Sequence, residues 1–237
     1  ILNEQGTTLW HMGRLEPSIE SHAEALVIYR ALKLSRQEAR ALNHMGNAFS
    51  ALGEYEEALA HYKSSLKLDQ QLGDRSGVAF KLGNIGQAYA DLGDLDRAES
   101  YLAKAWKLGE QSGDPSSMAD AAISWGQAKL AKGELADALE LLERGKDLAS
   151  EGRERFQEIR GLEYIALGQL EAGQPPAGAL ELACAATELA RKMPMVVGIV
   201  HGLAISGFAL SRLGQHDAAI AAITLTGAAL VLIAVSL

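Results

Sequence analysis

Histidine and cysteine are the residues of this chain most suited to catalytic or metal chemistry. A helical zinc site needs two histidines four residues apart beside a carboxylate, and no pair of the six histidines has that spacing. The lone cysteine, Cys184, has no Lys, Arg or His immediately beside it to stabilise a thiolate, so we expect a small buried residue there. The histidines are His11, His22, His44, His61, His201 and His216.

Glycine-rich and acidic stretches give no enzyme motif either. Gly83-Asn84-Ile85-Gly86 lies within a predicted helix and lacks the Lys-Ser/Thr ending of a phosphate-binding loop. No nucleophile elbow occurs, and the acidic pair Glu56-Glu57 fits a solvated outer helix face. We therefore predict a protein that is not an enzyme and that needs no cofactor or metal.

A period of 40 residues organises the chain. Six glycines are separated by 40, 40, 40, 40 and 41 residues, and a second glycine series lies seven residues before most of them. A fixed period of this length is typical of an array of supersecondary repeats, each of which contacts only its neighbours. The first series is Gly13, Gly53, Gly93, Gly133, Gly173 and Gly214.

Each repeat has the pattern of two antiparallel helices, here called helix A and helix B. In the third repeat, Leu82 and Ile85 belong to one apolar stripe with helical spacing, and Leu95 begins a second stripe. Gly93 supplies the backbone freedom that ends helix A, and Gly73-Asp74 combines a helix-ending glycine with a capping side chain. Strand signals are absent, so the sequence predicts an all-α fold.

Small and aromatic residues recur at fixed places in the repeat. In the second repeat they are Gly46, Phe49, Leu52-Gly53, Tyr55, Ala58 and Tyr62. This pattern resembles the tetratricopeptide repeat, in its long-repeat branch with kinesin light chains and LGN/Pins-like adaptors. The resemblance covers residues 1–227 and implies a right-handed superhelical solenoid of about six helix pairs. The fifth repeat departs from it, with Pro175-Pro176 at the turn between its helices.

The repeats predict a single solenoid domain over residues 1–237. Ile1 replaces the expected initiating Met, and the first repeat begins inside its helix, so we interpret the sequence as a piece of a longer protein. A single cysteine and the lack of a signal peptide at the start predict a cytoplasmic protein. The expected repeats are approximately 1–34, 35–73, 74–113, 114–152, 153–193 and 194–227, followed by an apolar end at 228–237.

The resemblance implies a concave groove, lined by helices A, that holds a partner peptide or helix. Amides are frequent on the helix-A face directed away from helix B, and an amide offers both a donor and an acceptor to an extended peptide. The alternative is that these polar residues only form a solvated surface. The predicted partner-binding residues are Arg40, Asn43, His44, Asn47, Phe80, Asn84, Gln87, Ser124 and Gln127. The same face includes Asn3, Asp120, Arg160 and Glu163.

The sequence therefore predicts a protein–protein interaction scaffold. An intramolecular regulatory or sensor module of a larger signalling or transcription protein is one alternative. An assembly or membrane-associated protein that uses the apolar C-terminal segment is another. A net charge of −8 and the lack of a basic block argue against a nucleic-acid partner.

The C-terminal segment has no charged residue from Ala218 to Leu237. Twenty helical residues span about 30 Å, enough to cross a hydrocarbon core. The first half of this segment belongs to helix B of the sixth repeat, and residues 228–237 are apolar all round. We expect this end to pack against protein, either further repeats or a second copy of the chain, in preference to entering a membrane or forming a poorly ordered or atypical end.

Overall fold

Helices make up almost all of the protein. The computed structural model describes the backbone of residues 2–193 and 196–236, and the side chains of these residues except 11, 196, 197 and 227–236. Twelve α-helices and no strand occur in that part of the chain, so the all-α prediction is confirmed. The helices are α1 Leu2–His11, α2 Leu15–Ala31, α3 Ser35–Ala51, α4 Tyr55–Leu72, α5 Arg75–Asp91, α6 Leu95–Ser112, α7 Pro115–Lys132, α8 Leu135–Gly152, α9 Arg155–Glu171, α10 Pro176–Lys192, α11 Val196–Arg212 and α12 His216–Ser236.

The chain divides into two compact units. Unit 1 ends at Ser117 and contains α1 to α6, and unit 2 covers Met118–Ser236 and contains most of α7 together with α8 to α12. In both units, helices that follow one another along the chain pack together in pairs. The predicted repeat boundaries and the single domain stay predictions.

A glycine on the first helix of a pair accommodates a large side chain from the second helix. A methyl group on Gly46 would lie 2.5 Å from the Tyr62 ring, far inside van der Waals contact. Only glycine therefore lets the two helices approach this closely. We call this arrangement a glycine seat and the large side chain its seat residue. The seats are Gly6–His22, Gly46–Tyr62 and Gly86–Leu102 in unit 1, and Gly126–Leu142 and Gly207–Ile223 in unit 2.

Apolar clusters fill the space between neighbouring helix pairs. In unit 1, Leu26, Leu42 and Met45 are buried together, with Phe49 and Leu68 packed against them. In unit 2, a comparable cluster contains Ile123, Leu130, Ala138, Leu142 and Ile165. Full burial of one such Leu or Ile side chain contributes about 1.5–3 kcal/mol, so these clusters supply the main stabilisation of each unit.

Left-handed residues end the helices. Gly53 has φ of 80° in the turn between α3 and α4, and Gly73 has φ of 69° in the connection between α4 and α5. At the places equivalent to Gly73 in two other connections, Lys33 (φ 55°) and Arg153 (φ 59°) occur instead. A side chain with a Cβ is strained in this region of backbone conformation.

Lys33→Gly is therefore expected to stabilise the protein by up to about 1 kcal/mol, because glycine adopts the left-handed conformation without strain. Lys67 is an exposed lysine inside α4, where the same change should cost about 1 kcal/mol. Urea unfolding of both variants measures the two effects. Equal destabilisation by the two substitutions would show that the backbone of Lys33 carries no strain.

Cys184 is exposed, so the prediction of a buried residue is wrong. Helix α10 buries its alanine face, which includes Ala179, Ala183 and Ala186. Cys184 follows Ala183 by one residue, which is about 100° of helix rotation, and this turns its side chain to solvent. Apolar neighbours in the sequence therefore did not indicate burial here.

The apolar end is described only in part. Ile220, Ile223 and Leu225 of α12 are each more than half exposed. The side chains of residues 228–237 lie outside the described residues, so self-association through them stays a prediction. In the described part of the chain, every helix is too short or too polar to cross a membrane.

Candidate functional site

Seven of the nine predicted partner-binding residues lie on α3 and α5, the first helices of two pairs in unit 1, and Asn3 of the same predicted face lies on α1. Asn84 Nδ2 of α5 donates a hydrogen bond to Asn43 Oδ1 of α3 at 2.9 Å. Asn43 is buried and Asn84 is half-buried. Because α3 and α5 belong to different helix pairs, this hydrogen bond joins the two pairs. We call the surface formed by these helices, with Asn3, Asn43, Asn47 and Asn84, the amide face.

Asn47 is held by a seat residue. The Tyr62 hydroxyl donates a hydrogen bond to Asn47 Oδ1 at 2.9 Å. Tyr62 lies on α4, where its ring rests on Gly46 and is only 4% exposed. The phenol therefore extends from helix α4 past the glycine to the amide face on α3, and Asn47 is an ordered side chain.

His22 is the seat residue of the first helix pair, and it also contacts an asparagine of the amide face. Its ring lies over Gly6 and is fully buried, and Nδ1 is 3.0 Å from Asn3 Oδ1. An amide oxygen can only accept, so Nδ1 carries the proton. The ring stacks on His44 with centroids 5.1 Å apart. Burial, and then the neighbouring His44, lower the pKa of His22 to about 4.

Acid should destabilise the protein through His22. Its pKa is about 4 in the folded protein and about 6.5 in an unfolded chain, so the unfolded chain binds the proton more readily. The stability contribution of the neutral ring is fully present above about pH 6.5 and is lost as the pH falls toward 4. The loss is about 1.4 kcal/mol per pH unit within that window.

Urea unfolding between pH 7.5 and pH 4.5 tests this expectation. His22→Leu supplies the control, because leucine is the seat residue at Leu102 and Leu142 and does not titrate. Stability of the variant should depend less on pH than that of the natural sequence. Parallel pH profiles would show that His22 does not carry the effect.

The other predicted residues of unit 1 differ in their surroundings. Arg40 is exposed beside a depression of about 170 Å³ that Asn3, Glu4, Tyr29 and Gln37 also line. Phe80 is 40% exposed, and the Lys81 ammonium, which pairs with Asp69 at 3.1 Å, lies 5.4 Å from its ring centroid. Gln87 Nε2 donates to Asp91 Oδ1 at 3.0 Å, along its own helix.

In unit 2, one arginine holds the two remaining predicted residues. Arg160 of α9 donates to Gln127 Oε1 at 2.8 Å and to Ser124 Oγ at 3.3 Å, both on α7. The same guanidinium pairs with Asp120 Oδ1 at 3.0 Å. Ser124 is almost fully buried, so it is a support of this network more than an accessible contact.

A second charged contact of unit 2 links α9 to α11. Glu163 is 4% exposed, and its Oε2 lies 3.7 Å from His201 Nδ1. Interaction with Glu163 raises the pKa of His201 and outweighs desolvation, which lowers it. In its protonated form, His201 would compensate a carboxylate that is otherwise costly to bury.

A cleft of unit 1 contains none of the predicted residues. Its volume is about 580 Å³, and Lys63 Nζ donates to the Tyr89 hydroxyl there at 2.9 Å. This hydrogen bond lowers the pKa of Tyr89, against the effect of burial. The cleft has an acidic as well as a basic lining: Glu56, Leu59, Ala60, Lys63, Tyr89, Leu92, Asp94 and Arg97.

The structure thus brings Asn43, Asn84 and Asn47 onto one ordered surface, with His44 stacked beside them on His22. Their role in partner binding stays a prediction, as does the absence of enzymatic activity. Within the described residues, no group of three or more His, Cys, Asp or Glu side chains is arranged to bind a metal. Sequence reasoning assigned Tyr62 to packing alone and gave His22 no role.

Two segments of the chain match family models described as tetratricopeptide repeat, at residues 1–71 and 82–108. No curated protein matches the chain. The arrangement of helix pairs and these matches define an all-α repeat solenoid. The two matched segments are similar to tetratricopeptide repeats, in agreement with the repeat pattern of the sequence.

Several solved structures share this fold. A Rap protein complexed with competence and sporulation factor has a TM-score of 0.79 and 19% identity, over 100% of this chain and 64% of that chain. The Rap conjugation gene regulator of plasmid pLS20, in complex with the Phr* peptide, has a TM-score of 0.76 and 12% identity, over 98% of this chain and 62% of that chain. The present chain therefore spans less than two thirds of either Rap protein.

A structure of nearly identical TPR-like repeats from a putative kinesin light chain of Podosopora anserina has a TM-score of 0.60 and 16% identity. It covers 81% of this chain and 94% of that chain. At these low identities, the likeness to each of the three structures concerns the fold alone.

Proposed function

We propose that this protein is an interaction scaffold that binds an extended segment of a partner protein along the amide face of unit 1. The observation that carries the proposal is the order of that face. Asn43, Asn47 and Asn84 are held by hydrogen bonds to the protein itself, at 2.9 Å in each case. A merely solvated surface has no need of such fixed amides.

Ordered amides suit recognition of a peptide backbone. An extended segment presents N–H and C=O groups at regular intervals, and side-chain amides can pair with either. Because the amides are already fixed, binding loses little of their side-chain entropy. Each hydrogen bond formed contributes about 0.5–1.5 kcal/mol net, so several together give useful affinity.

Phe80 and Arg40 are the side chains of this surface best suited to anchor a partner. Phe80 exposes 40% of its surface on α5, next to Asn84 in the following helical turn. Exposed aromatic and arginine side chains are frequent among the residues that dominate binding energy. Two solved structures with this fold contain competence and sporulation factor and the Phr* peptide, which supports a peptide as the partner class.

Selection from a displayed random-peptide library against the whole chain tests the proposal. The highest-ranking peptide is then synthesised, and its affinity is measured calorimetrically for the natural sequence and for Asn47→Ala and Asn84→Ala. Each substitution should weaken binding by about three- to tenfold, because it removes an amide from the binding face. Gln70→Ala, at an exposed amide of α4, is the matched control and should leave affinity unchanged.

Two results would contradict the proposal. One is a library from which no peptide is enriched on this protein. The other is a peptide whose affinity is the same for Asn47→Ala, Asn84→Ala and the natural sequence, since such a peptide binds elsewhere on the surface.

A further inference from the structure

The seat residues of unit 1 are not equivalent in chemistry. Leu102 fills its glycine seat with an apolar side chain, and so does Leu142 in unit 2. At the same repeat position, the first two helix pairs have His22 and Tyr62. Filling the seat needs only an apolar side chain, and a buried polar group is costly unless it is hydrogen-bonded. The polar groups of His22 and Tyr62 therefore point to a further role.

Three asparagines of the amide face are held through the same atom. The acceptors are Asn3 Oδ1, bonded by His22 Nδ1, Asn47 Oδ1, bonded by the Tyr62 hydroxyl, and Asn43 Oδ1, bonded by Asn84 Nδ2. Within the described residues, no hydrogen bond from Nδ2 of Asn3, Asn43 or Asn47 accompanies these contacts. Each amide oxygen is therefore engaged inside the protein, and the N–H donors remain for an outside acceptor.

Burial of His22 fixes this polarity at Asn3. A reversed amide would place Nδ2 against Nδ1 of His22 and would require the proton to move to Nε2. His22 Nε2 is buried and has no hydrogen-bond partner, so an N–H there would be unsatisfied. Buried N–H groups without a partner are rarer in proteins than buried acceptors without one, which favours the arrangement with Asn3 Oδ1 turned inward.

We infer that His22 and Tyr62 are positioning residues that set the hydrogen-bond polarity of the amide face. They turn the oxygens of Asn3 and Asn47 inward, so both asparagines present amide N–H donors that recognise backbone carbonyl oxygens of an extended peptide. The inference rests on the proposed function and adds to it which backbone atoms of the partner peptide form hydrogen bonds with the protein. Asn84 is the exception, because its Nδ2 is engaged by Asn43 and its Oδ1 is left as an acceptor for a peptide N–H.

Tyr62→Phe tests the inference without disturbing the seat, because phenylalanine keeps the ring on Gly46 and removes only the hydroxyl. The variant should bind the library-selected peptide about three- to tenfold more weakly, because Asn47 is no longer oriented. Tyr101→Phe removes the hydroxyl from another partly buried tyrosine of unit 1 and is expected to bind normally. His22→Leu should weaken binding in the same way as Tyr62→Phe.

Backbone analogues of the selected peptide identify which peptide atoms form hydrogen bonds with the protein. Replacing one peptide bond at a time by an ester weakens the carbonyl acceptor and removes an N–H, whereas N-methylation removes the N–H alone. At one or more positions, the ester should weaken binding to the natural sequence several-fold, with a smaller effect on Tyr62→Phe. N-methylation that blocks only the N–H should be tolerated at those positions.

The outcomes separate this inference from the proposed function. If Asn47→Ala weakens binding and Tyr62→Phe does not, the amide face binds the peptide but Tyr62 does not position it, and the inference is wrong. If N-methylation and ester replacement weaken binding equally at every position, the protein binds peptide N–H groups and the inference is also wrong. If Asn47→Ala, Asn84→Ala and Tyr62→Phe all leave affinity unchanged, the proposed function fails together with the inference.

Discussion

Close approach of paired helices, made possible in most pairs by the missing Cβ of one glycine, is the constraint on which this structure depends. At Gly46 and Gly86 a single methyl group would lie 2.5 Å from the opposite side chain. Relief would require the seat residue to move, and in the second pair the seat residue is Tyr62. Packing and the amide face are therefore coupled there, because movement of the Tyr62 ring would also displace its hydrogen bond to Asn47.

The same geometry accepts different chemistry from one helix pair to the next. Leucine in the seat contributes only packing, as at Leu102, which is fully buried. Histidine or tyrosine in the seat fills a similar volume and places a polar atom at the far surface, as His22 and Tyr62 do. The repeat thus keeps its fold while the hydrogen-bonding character of its surface changes, which is how a common scaffold can serve different partners.

Much of the fold could be predicted from the sequence because its signals are local. The positive φ at Gly53 and Gly93, the cap of α5 by Asp74 and the helical stripes each depend on residues within a few positions of one another. The site could be predicted only in outline. The bond between Asn43 and Asn84 joins residues 41 positions apart, and its donor and acceptor depend on side-chain rotamers that periodicity does not specify.

The burial of individual polar side chains could not be predicted from the sequence either. Arg160 reaches across to Asp120, Ser124 and Gln127, which converts expected contact residues into parts of an internal network. Each glycine seat, by contrast, is completed inside one helix pair. Duplication or loss of the gene segment that encodes one 40-residue repeat would therefore add or remove a whole packed helix pair. The surface formed by the first helices of the pairs would then grow or shrink in discrete steps during evolution.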